Sequence, residues 1–342
     1  MRDDSTAEFK KTLLLADLLK QTTSLAVLSE FLKSRGLHHS AGSWEVMRDK
    51  RILPAVEAGD LTNADLIEIL SSSEECGGQH VFLYKCTVAR AAELMDRKRI
   101  QNVLKRRGLT RLLTEADVLV QPAVPQIVDV RWESAKVDLN LTVKEVELRT
   151  HRAFIGTEIQ GDRFLKIYTN EQQRAVNVAK LHRNGLLEIR LASHRQSSKY
   201  DADVNRFFTH LAEIIPFHGF SEVSLGLAKR KLLAEAKSGS GLVRLTDATV
   251  RDGEGNLLHA ATGSDNADLS KDKAISKSLE SLLESDKDAY CSDSNLWFVK
   301  QGALTSDIHV LLNGATNEFS LPGQCGVGDY NYVLDQVRRF NK

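Results

Sequence analysis

Two prolines, Pro122 and Pro125, stand three positions apart and separate two kinds of hydrophobic periodicity. Proline resists both a helix interior and a central strand, so residues 121–125 mark a boundary that neither element crosses. Before it, apolar residues recur at helical spacing. Phe9, Leu13, Leu14 and Leu18 share a stripe over 8–20; Leu25, Leu28, Phe31 and Leu32 share another over 24–35, which Gly36 stops. Further helices are expected over 43–57 and 63–70, the second opened by Thr62 and Asp65 near capping-box spacing, with a break over 71–78. Residues 80–86, HVFLYKC, read equally as a buried strand or the apolar start of a helix, and 87–107 reads as the longest helix, ended by Gly108.

After the prolines, alternation takes over. Strands are expected over 127–132, 139–148, 164–168, 186–191, 243–250, 257–261, 295–300 and 307–312, with Asp252-Gly-Glu-Gly255 as a hairpin turn. Helices are expected over 171–183, 203–215, 221–237, 271–285 and 328–340, and residues 238–241 read as a short flexible hinge. At 342 residues the chain exceeds the size of a single core. The fold class expected is α+β: a helical domain over 1–118, a mixed α/β domain over 126–237 and a C-terminal α+β region over 241–342.

No run approaches the ~18 apolar residues of a membrane span, and the first residues, MRDDSTAEFKK, are polar, which predicts an intracellular protein without a membrane partner. Cys76, Cys86, Cys291 and Cys325 form no CxxC pair, so free thiols are expected rather than a disulfide framework or a zinc site. The histidines likewise lack ligand spacing, and no metal or cofactor is expected. Catalytic motifs occur only as fragments. The loop PGQCGVG over 322–328 lacks the lysine and spacing of a phosphate cradle and reads as a turn. Cys325 with His309 has a buried thiol as its simpler explanation, and Asp252, Glu254 and His259 suit a polar hairpin. A binding protein, not an enzyme, is expected.

Net charge is zero, but the signs are segregated along the chain. Residues 85–111 hold nine basic and two acidic side chains, whereas 252–342 hold eight and fourteen. On one continuous helix, Arg90, Arg97, Lys98 and Lys105 fall within an arc of about 100°, so four cations could meet one polyanion. Arg99 and Arg106 point toward the side of Met95 and Val103, to snorkel or to pair with Asp96. A solvated basic face would carry the same residues. No aromatic residue interleaves with the run, which favours phosphate contact with a duplex over stacking on a single strand.

The pieces AEFKKTLLL, SLAVLSEFLKSRGL, WEVMRDKRI, LTNADLIEIL and GQHVFLYKC, followed more weakly by VDVRWE and LEIRLASHR, resemble in order and spacing the centromere protein N family of kinetochore proteins. The resemblance implies a pyrin-like, death-fold helical domain, then a mixed α/β domain, and a C-terminal region that pairs with a related protein or a second copy. It also implies a nuclear, chromosomal location and a grip on duplex DNA or the nucleosome through Lys10 and Lys11 and, by position, Arg48, Lys50 and Arg51. The alanine- and arginine-rich texture departs from the family. The alternative is a death-fold oligomerisation adaptor in prokaryotic or innate antiviral defence, in the cytoplasm.

Overall fold

The computed structural model describes residues 7–135, 138–194, 200–302 and 304–342. Residues 1–6 and Arg195, which the polar N-terminus and the piece LEIRLASHR include, lie outside them. The chain is mixed α/β, and its backbone contacts group into two compact units. One comprises the chain up to Gln79, Leu225–Asn313 and Phe319–Lys342; the other comprises His80–Ser224 with Gly314–Glu318. These units cut across the expected divisions at 118 and 241, because the N-terminal helices and the C-terminal α+β region share one set of contacts.

In the first unit, helices Ala7–Thr22, Leu25–Ser34, Trp44–Met47, Leu53–Ala58 and Asn63–Cys76 form the N-terminal part. The first helix buries Thr12, Leu15, Ala16, Leu18 and Leu19. Leu13 and Leu14 are only half-buried, so the inward stripe is rotated from the expected one, which Leu18 alone shares. Thr62 and Asp65 close a reciprocal capping box, and the helix they open runs through the expected break to Cys76. Its last turn buries Ser73, Glu74, Glu75 and Cys76, so tertiary burial overrides the weak propensity of the serines. Strands Glu318–Leu321, Ile308–Leu312, Tyr290–Phe298, Val243–Arg251 and Leu257–Ala261 lie side by side in that order, all antiparallel. Gly255, at φ +87, closes the expected hairpin turn by donating its N–H to the Asp252 carbonyl at 3.1 Å. Leu296, Trp297 and Phe298 lie on an interior strand with neighbours on both sides; the edge of this set is Leu257–Ala261.

In the second unit, Gln126–Ala135, Asp138–Gln160, Arg163–His182, Leu186–Ala192 and Gln79–Lys85 lie side by side in that order, and the short strand Ser221–Glu222 pairs with Gln79–Lys85. The ambiguous segment HVFLYKC is therefore a strand. The expected helix over 171–183 is also strand, and its periodicity misleads for a physical reason. Val176 and Val178 pack on one face and Ala179 and Leu181 on the other, so burial of both faces erases the alternation. Helices Val88–Leu94, Arg97–Arg106 and Asp201–Leu211 supply Leu94, Ile100, Leu104, Phe207 and Leu211 to a core with Leu141, Val143, Leu187 and Ile189. Gly185, at φ +90, turns Arg163–His182 into Leu186–Ala192; a Cβ there would lie 2.2 Å from the Cys86 carbonyl oxygen.

Candidate nucleic-acid interface

The expected helix over 87–107 is two helices. Val88–Leu94 ends at Met95, and Asp96 starts the next by accepting the Arg99 backbone N–H at 2.7 Å. Trp132, on strand Gln126–Ala135, holds the break: its indole N–H donates to the Met95 carbonyl at 3.2 Å, satisfying an acceptor that a helix end leaves open. The same ring lies under the Arg97 guanidinium, 4.9 Å from centroid to carbon. The break removes Arg90 from the cationic arc. Arg90 pairs with Glu93 at 2.8 Å and donates to His218 at 2.8 Å, so its charge is spent within the protein.

Helix Arg97–Arg106 keeps the rest. Ile100, Val103 and Leu104 are buried, while Arg97, Lys98, Gln101, Asn102 and Lys105 are exposed. Lys98 and Lys105, seven residues apart, stand on one stripe two turns apart, with no side-chain partner among the described residues. Arg99 does not pair with Asp96 through its side chain; its guanidinium donates to the carbonyls of Leu94, Glu213 and Ile214 at 3.1, 3.0 and 2.9 Å. Burial pushes the Arg99 pKa down. Arg106 reaches Glu213 at 3.5 Å. The helix contains no carboxylate, and Arg97 and Lys98 stand in its first turn, where the dipole is already positive. A helix whose first turn opposes its own dipole is locally costly, and its outward potential is correspondingly strong.

No protein-family model and no curated protein matches the chain.

In the first unit, Lys10 is exposed and Lys11 half-buried on helix Ala7–Thr22. Arg48, Lys50 and Arg51 lie on one π-helical turn, Arg48–Ile52, a geometry frequent at functional positions. Two of the three are engaged: Arg48 with Asp49 at 2.7 Å, and Arg51 with the carbonyls of Ser40 at 2.8 Å and Lys50 at 2.9 Å. Hydrogen bonding to Asp49 raises the Arg48 pKa. Lys50 remains exposed. The nine expected site residues thus divide between the units, and Arg97, Lys98 and Lys105 are brought together on one helix.

Trp132 and Gln101 were not legible as site residues, because only the fold sets the ring beneath Arg97 and the amide within the cationic arc. The fragments considered for catalysis have other partners. Buried Cys325 donates its thiol to the Cys76 carbonyl at 3.1 Å, while His309 pairs with Asn295 and stacks on Trp297 at 4.5 Å. Asp252 caps its own turn through Asn256, and His259 meets Thr249 at 3.0 Å. One polar cluster does join distant segments. Glu145 is bonded to Asn177 at 2.9 Å, to Arg206 at 3.2 Å and to His210, while Glu147 takes Arg149 at 2.7 Å. The buried carboxylates each have a cation, as a structural ion network requires.

Proposed function

We propose that the protein is a non-catalytic adaptor that binds duplex nucleic acid through phosphates, with helix Arg97–Arg106 as the contact element. The observation that carries this reading is the exposed arc of Arg97, Lys98, Gln101 and Lys105 on a helix without a carboxylate. Cations bound to phosphate release counterions, and amides add hydrogen bonds to the backbone, so such an arc needs no base contacts to bind. The charge balance of the second unit supports it: residues 80–224 and 314–318 hold 23 basic and 18 acidic side chains in a chain of zero net charge. Lys10 and Lys50 form a secondary candidate set, and the resemblance to the centromere protein N family makes chromatin the first duplex to try.

The test is binding of labelled plain duplex, nucleosome and RNA at low salt by the wild type, Lys98→Glu/Lys105→Glu and Lys10→Glu/Lys50→Glu. Duplex affinity is expected to fall at least tenfold in the Lys98/Lys105 variant while unfolding curves stay unchanged, since both side chains are exposed. Wild-type protein that binds none of the three, or binding untouched by both reversals, would remove the reading and favour the oligomerisation adaptor.

A further inference from the structure

The hairpin of Asp138–Gln160 and Arg163–His182 is far longer than the sheet that supports it. Strand Gln126–Ala135 pairs only as far as Val146, and Leu186–Ala192 only from Val178 to Leu181. Beyond these limits, residues 150–170 form a two-stranded ribbon, about ten residues per strand and so about 34 Å long. A ribbon of two strands is at best marginally stable alone in water. This one is also apolar: Phe164 is 75% exposed, Ile159 66%, Ile155 62% and Phe154 56%. Phe154 and Tyr168 stack edge to face at 5.7 Å on the same side as Ile159 and Phe164. Exposed apolar surface in such a row marks an interaction site.

The two edges differ. On the Asp138–Gln160 edge, a bulge at Ile155 interrupts the register between Phe154 and Gly156, a device that blunts strand pairing. The Arg163–His182 edge has no such bulge, and no strand lies along its outer side over 163–170 among the described residues. We propose that this edge pairs antiparallel with the same edge of a second copy, about a two-fold axis at Ile167. That register sets Ile167 against itself, Leu165 opposite Thr169, and Arg163 opposite Glu171, the last pair occurring twice by symmetry. Glu171 also holds His151 of its own chain at 3.2 Å, which keeps its carboxylate at the ribbon base. The edge is therefore complementary to itself in charge.

A polyanion fits less well, because Arg152, Arg163 and Lys166 share residues 150–170 with Glu158 and Asp162. Phe164, Leu165, Ile167 and Tyr168 are the exposed apolar side chains of strand Arg163–His182. They flank a seam made mainly of main-chain hydrogen bonds, an interface smaller than that of tight dimers, so pairing is expected only at high protein concentration.

The test measures mass by light scattering at about 100 µM, a concentration suited to so small an interface, and cross-linking of single cysteines under mild diamide oxidation. The four native cysteines are buried and do not compete. Ile167→Cys should form a covalent dimer, because directly opposed residues bring their Cα atoms within disulfide range, whereas Leu165→Cys should not. Arg163→Glu should shift the wild-type dimer toward monomer, and Arg163→Glu/Glu171→Arg should restore it. Both cysteine sites are on the exposed ribbon, and thermal unfolding of each variant checks that the fold is kept. Monomeric wild type without Ile167→Cys cross-linking, equal cross-linking at 165 and 167, or a dimer indifferent to Arg163→Glu would each overturn the proposal, as would capture of a foreign protein by a strictly monomeric chain.

Discussion

Glu133 illustrates how a single residue ties the second unit's sheet together. Its carboxylate takes Lys180 at 2.7 Å and Arg131 at 2.7 Å. Burial pushes the carboxyl upward, but the two cations outweigh it and hold it down to about 2. An unfolded glutamate titrates near 4.3, so this side chain stabilises the fold above that pH, and the contribution fades as pH falls toward 2. Glu133→Gln should therefore cost about 2 kcal/mol at neutral pH, a figure reduced for the partial solvent exposure of the group. Urea unfolding at pH 7 and at pH 2.5 measures it: the difference from wild type should shrink on acidification, and a constant difference would show that packing rather than charge is lost. Burial likewise pushes the Cys291 thiol up to about 11, and all four cysteines are free, as their spacing predicts.

At the scale of elements, the break at Asp96 decides which cations point outward. Asp96→Ala removes the cap from helix Arg97–Arg106 and should destabilise the protein by about 1 kcal/mol in urea unfolding. Duplex affinity should hold or rise in the same variant, because a carboxylate beside Arg97 and Lys98 is gone; a parallel loss of affinity would mean that the helix start, not its charge, makes the contact. Much of the element order was legible from periodicity and caps: the capping box at Thr62, the turn at Asp252-Gly-Glu-Gly255 and the strands Gln126–Ala135, Val243–Arg251 and Leu257–Ala261 stand where spacing predicts them. The rest was not, for identifiable reasons. Residues 171–182 are buried on two faces over their inner half, where alternation vanishes, and outward of that they lead into a ribbon whose exposed apolar residues look like core in a sequence. The single helix expected over 87–107 failed because Asp96 reads as one acidic residue in a basic run, and only Trp132, from a strand beyond the prolines, fixes the break there. The arc of Arg97, Lys98 and Lys105 could be found in the sequence, whereas the clamp that withdraws Arg99 into backbone carbonyls could not.

Across the whole molecule, the contact units redistribute the charge that the linear sequence segregates. The second unit is net basic and the remainder net acidic, so the basic run over 85–111 and the strands from Gln126–Ala135 to Leu186–Ala192 belong to one electrostatic body. Two surfaces of different chemistry stand behind the two proposals: a carboxylate-free helix face for phosphates, and a near-neutral apolar ribbon for a second copy. If the helix face is the duplex contact, affinity depends on counterion release, and each phosphate contact contributes a slope of about −0.9 in log affinity against log salt. The most direct measurement is that slope for plain duplex DNA, wild type beside Lys98→Ala/Lys105→Ala. The account predicts steep salt dependence in the wild type, little preference among duplex sequences, and a slope shallower by about 2 in the double variant. An unchanged slope in that variant, or wild-type affinity independent of salt, would contradict it.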